Sequence, residues 1–169
     1  YMEQVEYAVE DMDFPADLLV QGQGMKEQER QEFLEEFEKP RDHSLAAFCV
    51  MGGVFSEGID LKKERLIGAV IVGTGLPMVC VEQEVLRGYF EEKEEEGFDF
   101  AYQYPGMNKV MQAAGRVIRT VHDRGIIALL DDRFLRPEYV ALFPREWGSY
   151  TVVNRYNVGQ AVEGFWNRF

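Results

Sequence analysis

The sequence predicts an α/β domain with a doubly wound, mainly parallel sheet and helices on both of its faces. Short apolar runs alternate with amphipathic or charged segments along the 169 residues, and the central residues of each run are apolar without polar alternation. Such runs are typical of parallel strands, because the connecting helices bury both sides of the sheet. A chain of this length fits one domain, so we expect a single domain over residues 1–169.

The expected strands and helices alternate along the chain. Four apolar runs are the expected strands: DLLVQG (17–22), SLAAFCVMGG (44–53), RLIGAVIVGTGLP (65–77) and GIIALLDDRF (125–134). Helices are expected at 1–10, 26–38, 79–93 and 106–120, with further helical turns in RPEYVALF. The helix over 26–38 has an apolar stripe of Phe33, Leu34 and Phe37, which we expect to be buried.

The composition favours a packed globule in a reducing compartment. Hydrophobic residues make up 46% of the chain and aromatic residues 13%, as in folded domains. No apolar run approaches the roughly 20 residues of a membrane-spanning helix, and the acidic amino terminus does not resemble a secretory signal. Cys49 and Cys80 lie in apolar segments, so we expect buried, reduced thiols and a cytoplasmic protein. These cysteines, His43 and His122 show no metal-ligand spacing, and no metal site is expected.

The charge of the chain bears on nucleic-acid binding. The formal net charge is −12, whereas a nucleic-acid binder usually has a basic surface. Much of the acid lies in two stretches, 27–39 and 91–97, which we expect to be solvated helix faces or a loop. Arg116, Arg119 and Arg124 cluster elsewhere. The whole-chain charge therefore weakens a nucleic-acid interpretation without excluding it.

Three of the expected strands end in glycine-bearing turns: VQGQG (20–24), VMGGVFSEGID (50–60) and VGTGLP (72–77). Ligands bind beyond the carboxyl ends of the strands in sheets of this kind, and glycine permits close backbone approach. The turns therefore indicate a ligand-binding edge. The chain has no G-x-x-x-x-G-K-[ST] phosphate loop, so we expect it to supply only half of a nucleotide site.

The stretch QAAGRVIRT, residues 112–120, would present a polar and basic face if it were helical. At about 3.6 residues per turn, Gln112, Arg116 and Arg119 fall within an arc of about 60°. Two interpretations stay open from these residues alone. The segment is either a solvated surface helix or a fork of guanidinium groups for phosphate.

Four motifs occur in one order along the chain: GGVFSEGID (52–60), GLP (75–77), QAAGRVIR (112–119) and RGIIALLDDRF (124–134). Together they closely resemble the second motor domain of superfamily 2 DNA helicases of the DinG/XPD type, and bacterial DinG-like members in particular. The resemblance extends from about residue 18 to residue 147. It implies a RecA-like fold related to the P-loop NTPases, here without a phosphate loop.

The same resemblance implies that the chain is a fragment of a longer helicase. In this family the phosphate loop and the DExH box belong to the first motor domain, which is absent from this chain. That domain would hold most of the ATP and its Mg²⁺. Any iron–sulfur cluster would also lie in the first motor domain and not in this chain.

The resemblance places the catalytic residues in QAAGRVIR. Arg116 and Arg119 would reach across a cleft to the γ-phosphate of ATP, where a fixed guanidinium stabilises developing charge. Gln112 would position the attacking water or bridge to the phosphate. Asp131 and Asp132, at the end of the last expected strand, would either orient Arg116 or cap a turn.

Further residues are implied on the ATP side. Gly58 would give access to the backbone. Asp60 would accept a hydrogen bond from the ribose or hold an arginine in place. Gly115 would let its helix approach closely.

The DNA-binding residues implied by the resemblance are Ser56, Glu57, Gln21 and Gly22. Short polar side chains and backbone amides of this kind hold DNA by its phosphates without reading its sequence. Glu57 has two interpretations, since it would either link the DNA side to the ATP side or cap the following turn.

The family implies an ATP-dependent DNA helicase that moves 5′→3′ in DNA repair or replication, in the bacterial cytoplasm and associated with the nucleoid. Its partners would be single-stranded DNA and the other motor domain of the same protein, with no membrane. The isolated chain would have negligible ATPase activity. The alternative is a non-catalytic helicase-like module that binds a protein partner, which suits the acidic charge. A third, weaker interpretation is a remodeller of RNA.

Overall fold

The computed structural model describes residues 15–53 and 66–169. Four strands are present in this part of the chain: β1 (Ala16–Val20), β2 (Ser44–Phe48), β3 (Gly68–Val72) and β4 (Ile126–Leu130). Each matches one of the expected strands. Each is also shorter than the run that predicted it, because the carboxyl end of the run turns away from the sheet.

All the strand pairing in the described residues is parallel. β1 pairs with β2, with Ala16 opposite Ser44, and β3 pairs with β4, with Gly68 opposite Ile126. Within the described residues the hydrogen-bonded ladders join these strands as two separate pairs. The parallel direction that the uniformly apolar runs predict is therefore confirmed.

The helices are α1 (Glu27–Glu36), α2 (Val81–Glu91), α3 (Tyr104–Ala114), α4 (Pro137–Val140) and α5 (Val158–Trp166). A π-helical turn, Asp99–Gln103, leads into α3, and two short 3₁₀ turns occupy Asp132–Leu135 and Arg145–Ser149. α5 is a helix that the sequence analysis did not predict. The helix expected over residues 1–10 lies outside the described residues.

The helix expected over 106–120 is wrong at both ends. α3 begins earlier, with Pro105 in its first turn, a position where proline's missing N–H is no loss. It ends at Ala114, and Gly115 donates its N–H to the oxygen of Met111 at 2.8 Å. Glycine is a poor helix former, and the β-branched residues that follow it also favour an end.

The main core lies between α3 and one face of the β3–β4 pair. Its buried members are Ile71, Met107, Val110, Ala114, Phe134 and Tyr139, with Ile127 and Leu129 packed against them. The side chains of Val70, Val72 and Leu130 point to the other face of this pair, since side chains alternate along a strand. They are 67%, 50% and 53% exposed. Burial is thus concentrated on one side of β3 and β4.

A smaller apolar contact belongs to α1. Phe33 is buried, and its ring lies 6.1 Å from that of Phe37. The expected burial is confirmed for Phe33, whereas Leu34 and Phe37 are only partly buried. Glu29 caps the amino end of α1, because its carboxylate accepts the N–H of Lys26 at 2.6 Å, as in a capping box.

The expectation that both cysteines are buried is wrong. Cys49 and Cys80 are free thiols in exposed residues, because one follows the end of β2 and the other precedes the first turn of α2. Protein atoms still crowd the Cys49 sulfur, and this desolvation raises the pKa of its thiol to about 11. None of the helices in the described residues is long and apolar enough to span a membrane.

Candidate functional site

The carboxyl ends of β1 and β2 are tied together by Gln21. Its backbone N–H donates to the oxygen of Phe48 at 2.9 Å, and its Oε1 accepts the N–H of Val50 at 2.8 Å. The turn at 50–53 is closed by a hydrogen bond from the N–H of Gly53 to the oxygen of Val50, at 3.1 Å. Gln21 therefore fixes the turn that follows β2. The exposed Gly22 lies beside it, and the DNA-binding roles of both residues stay predictions.

The turn after β3 packs against the same region. Gly75 has a φ of +67°, and a Cβ built on it would lie 2.7 Å from the oxygen of Gly106 and 3.1 Å from Cε of Met51. Only glycine fits there, because a side chain would overlap the backbone of α3. The expectation that glycine serves close approach at this edge holds for the GLP motif. The turns after β2 and β3 thus meet beside α3.

Lys109 on α3 completes this junction. Gly52 has a φ of +77°, and a Cβ built on it would lie 3.1 Å from both Cδ and Cε of Lys109 and 3.5 Å from its Nζ. Sequence reasoning did not single out Lys109. The signal that would have found it is its position three residues before Gln112, since residues at this spacing are neighbours on a helix.

Gln112 and Gly115 lie at the carboxyl end of α3. Gln112 is exposed in the last turn of the helix. A Cβ on Gly115 would come near only the oxygens of Met111 and Gln112, at 3.2 and 3.7 Å. Within the described residues a Cβ on Gly115 would thus meet only the end of its own helix, and the close approach expected of this glycine at the ATP side stays a prediction. This glycine ends the helix, and its contact with ATP stays a prediction.

Arg116 and Arg119 do not share a helical face with Gln112. The helix ends before them, so they lie in the connection between α3 and β4, with Arg116 partly buried and Arg119 exposed. Asp123 fixes this connection, since its Oδ2 accepts the N–H groups of Arg119 at 2.8 Å and Thr120 at 2.7 Å. These two hydrogen bonds lower the pKa of Asp123. The arginines are thus presented by a held loop.

Asp131 has the capping role that was one of its two interpretations. Its carboxylate accepts the backbone N–H of Arg133 at 2.9 Å. It also accepts hydrogen bonds from the guanidinium of Arg133, from Nε at 2.9 Å and from Nη2 at 2.7 Å. The Arg133 guanidinium lowers the pKa of Asp131 to about 2. Asp132 begins the 3₁₀ turn that follows and is exposed. Asp131 therefore orients Arg133.

Ser56, Glu57, Gly58 and Asp60 lie outside the described residues. The roles that the resemblance implies for these four residues stay predictions.

Comparison with known proteins identifies the family. The model of the helicase C-terminal domain family matches residues 1–150. This chain belongs to that family, as its resemblance to the second motor domain of DinG/XPD-type helicases predicts.

Individual relatives agree with this family. A probable ATP-dependent helicase of Methanocaldococcus jannaschii is 30% identical over 135 residues, which cover 75% of this chain and 20% of that protein. The ATP-dependent DNA helicase chl1 of Schizosaccharomyces pombe is 32% identical over 68% of this chain and 14% of its own length. The ATP-dependent DNA helicase YoaA of Haemophilus influenzae is 27% identical over 75% of this chain and 19% of its own length. The chain spans a fifth or less of each relative.

A solved structure of an XPD helicase is similar in fold. It matches 83% of this chain and 25% of its own chain, with a TM-score of 0.59 and 21% sequence identity. At this identity the likeness shows the fold alone. The fold class expected from the apolar runs and from the resemblance is confirmed.

Proposed function

We propose that this chain is the second motor domain of an ATP-dependent DNA helicase. It completes a nucleotide pocket on the first motor domain and holds single-stranded DNA by its backbone. The observation that carries the proposal is the junction of Gln21, the turn at 50–53 and the turn after β3 beside α3. Membership of the helicase family supports ATP and DNA as the ligands of this edge.

On the ATP side, Arg116 and Arg119 act on the γ-phosphate across the cleft. Asp123 and the carboxyl end of α3 hold the backbone of their loop. Because the loop is held, the guanidinium groups need little reorganisation when negative charge develops on the transferred phosphoryl group. Gln112, exposed at the end of α3, positions the water that attacks. An arginine in this role contributes about 10³–10⁵ to the rate.

On the DNA side, the turn at 50–53 directly precedes the segment that contains Ser56 and Glu57. Gln21 holds Val50 in this turn relative to β1, and Ser56 and Glu57 would contact the phosphates of the strand. Opening and closing of the cleft then moves the strand 5′→3′ across the two motor domains. Contacts to phosphate suit a motor, since they do not depend on base sequence.

The test of this function uses the complete two-domain helicase. Replacement of Arg116 by alanine, or by lysine, should lower the DNA-stimulated kcat for ATP by about 10³-fold or more while leaving cooperative unfolding intact. Lysine should not rescue, because a single ammonium lacks the fork geometry of a guanidinium. The matched control is Arg145→Ala, at an exposed arginine that begins a separate 3₁₀ turn. Unchanged turnover with both Arg116 and Arg119 neutralised would contradict the proposal.

A non-catalytic module that binds a protein partner is the second candidate, and α2 favours it. Val81, Val85 and Tyr89 follow one another at four-residue spacing and are 76%, 67% and 50% exposed. Residues at this spacing form one stripe on a helix, and an exposed apolar stripe suits a partner protein. Titration of the complete protein with single-stranded DNA at low salt separates the candidates, since only the motor domain should bind.

A further inference from the structure

Lys109 is a cation that the proposed function has not used. It lies on α3 one turn before Gln112 and is partly buried. It forms no hydrogen bond or ion pair with any residue in the described ranges. Its positive charge is therefore not compensated by an acidic side chain within these ranges.

The position of the Lys109 ammonium is set by its stem. The Cδ and Cε atoms lie against Gly52, and a Cβ built there would stand 3.1 Å from both, so a side chain at this position would displace the lysine stem by a few tenths of an ångström. Lysine commonly packs its methylene groups on protein in this way and presents the charge beyond them. The ammonium is therefore directed to the carboxyl end of β2.

The surface under the stem is itself fixed. The carboxamide of Gln21 holds Val50 on one side of the turn, and the N–H of Gly53 closes the turn onto the oxygen of Val50. Met51, within the same turn, packs against the main core. The turn under the lysine stem is therefore held from three sides, and a surface that is already ordered reduces the entropy lost on binding an anion.

We infer that Lys109 binds a phosphate group at the carboxyl end of β2. The inference rests on the proposed function, and it adds a binding residue that the helicase motifs in this sequence do not contain. The phosphate comes either from the backbone of single-stranded DNA or from the nucleotide. Both offer negatively charged non-bridging phosphate oxygens, which the lysine ammonium attracts as a compact point charge.

The experiment compares Lys109→Met, Lys109→Arg and the unsubstituted complete protein. Methionine keeps an unbranched stem against Gly52 and removes the charge, whereas arginine keeps the charge. The control is Lys93→Met, because Lys93 is exposed and lies over the ring of Tyr89 in a separate acidic stretch. Fluorescence anisotropy with a labelled oligothymidylate forms one arm. Titration with a fluorescent ATP analogue forms the other.

For a DNA phosphate, Lys109→Met should weaken oligothymidylate binding several-fold at low salt. The slope of log K against log salt should become shallower by about 0.7, which is the value for one contact to a single strand. Lys109→Arg should restore most of the affinity, and Lys93→Met should change neither quantity. If the phosphate belongs to the nucleotide, Lys109→Met should instead weaken binding of the ATP analogue, and Lys109→Arg should restore it.

Each remaining outcome overturns the inference. If the unsubstituted protein binds the probes and Lys109→Met binds both equally well, the inference fails and the proposed function stands. If the unsubstituted protein binds neither probe, the proposed function fails together with the inference. Should Lys109→Met lose its cooperative thermal transition, Lys109→Gln takes its place in both arms under the same criteria.

Discussion

Charged side chains form close pairs at two places in this chain. Asp131 is held by Arg133 at the end of β4, and His43 lies between two aspartates just before β2. The Nε2 of His43 is 2.8 Å from Oδ1 of Asp17, and its Nδ1 is 2.6 Å from Oδ1 of Asp42. Both ring nitrogens donate only when the imidazole is protonated. The two carboxylates therefore raise the pKa of His43.

The pH dependence of stability follows from this geometry. Because the pKa of His43 is raised on folding, its contribution is complete below the unfolded value of about 6.5 and is lost as pH rises through the folded value. The pKa of Asp17 is lowered, first by His43 and then by Arg41. The contribution of Asp17 is therefore lost as pH falls through its own folded value.

We expect His43→Gln to lower the urea midpoint at mildly acidic pH and to have little effect once the wild-type imidazole is neutral. Urea unfolding measured across this pH range checks the expectation. His122→Gln is the matched control, because the hydrogen bond of that exposed residue uses its backbone N–H. A His43→Gln effect that stays constant with pH would mean that the aspartates do not act through the charge of the ring.

At the scale of elements, the turn after β3 depends on glycine for its backbone conformation and for its contact with α3. Gly73 and Gly75 both have positive φ, at +82° and +67°. A Cβ on Gly73 would meet nothing within 4 Å, whereas one on Gly75 would meet the backbone of Gly106. Alanine at Gly73 therefore measures the free-energy cost of the backbone conformation alone, whereas alanine at Gly75 adds the cost of the overlap with α3.

Replacing Gly73 by alanine should destabilise the chain by about 1 kcal/mol, through backbone strain alone. Gly75→Ala should cost distinctly more, about 3 kcal/mol, because the turn or α3 must also shift. Equilibrium urea unfolding of both variants measures the difference. Equal losses would show that the turn moves away from Gly106 without resistance.

At the scale of the molecule, much of the acidic charge is exposed to solvent. Most acidic side chains of α1 are exposed, and so is the whole run 91–96. Within α1, Glu32 and Glu35 accept hydrogen bonds from Gln28 and Gln31. A net charge of −12 does not by itself exclude a local phosphate site, because salt screens interactions between exposed charges that lie more than about 10 Å apart.

The isolated chain should not hydrolyse ATP at a measurable rate, because it has no phosphate loop to hold the triphosphate. A coupled assay of phosphate release, with and without oligothymidylate, checks this. The complete helicase assayed in parallel is the control. Robust turnover by the chain alone, abolished by Arg116→Ala, would mean that the chain holds a whole active site.

The sequence predicted the elements well where the pattern was long and of one kind. The runs around Ala16–Val20, Ser44–Phe48, Gly68–Val72 and Ile126–Leu130 all became parallel strands. Their apolar side chains admit few other structures in water. α5 was missed, since its small residues and glycines give a weak helical signal.

The sequence by itself determined the family, the strand order along the chain and the residue types that suit phosphate chemistry, because all of these depend on local pattern and motif. The tertiary structure decided where α3 ends, so that Arg116 and Arg119 lie in a held loop and not on a shared helical face with Gln112. It also decided that Gln21, Gly52, Gly75 and Lys109 meet. Contacts between residues distant in the chain depend on how elements pack, which no local pattern specifies.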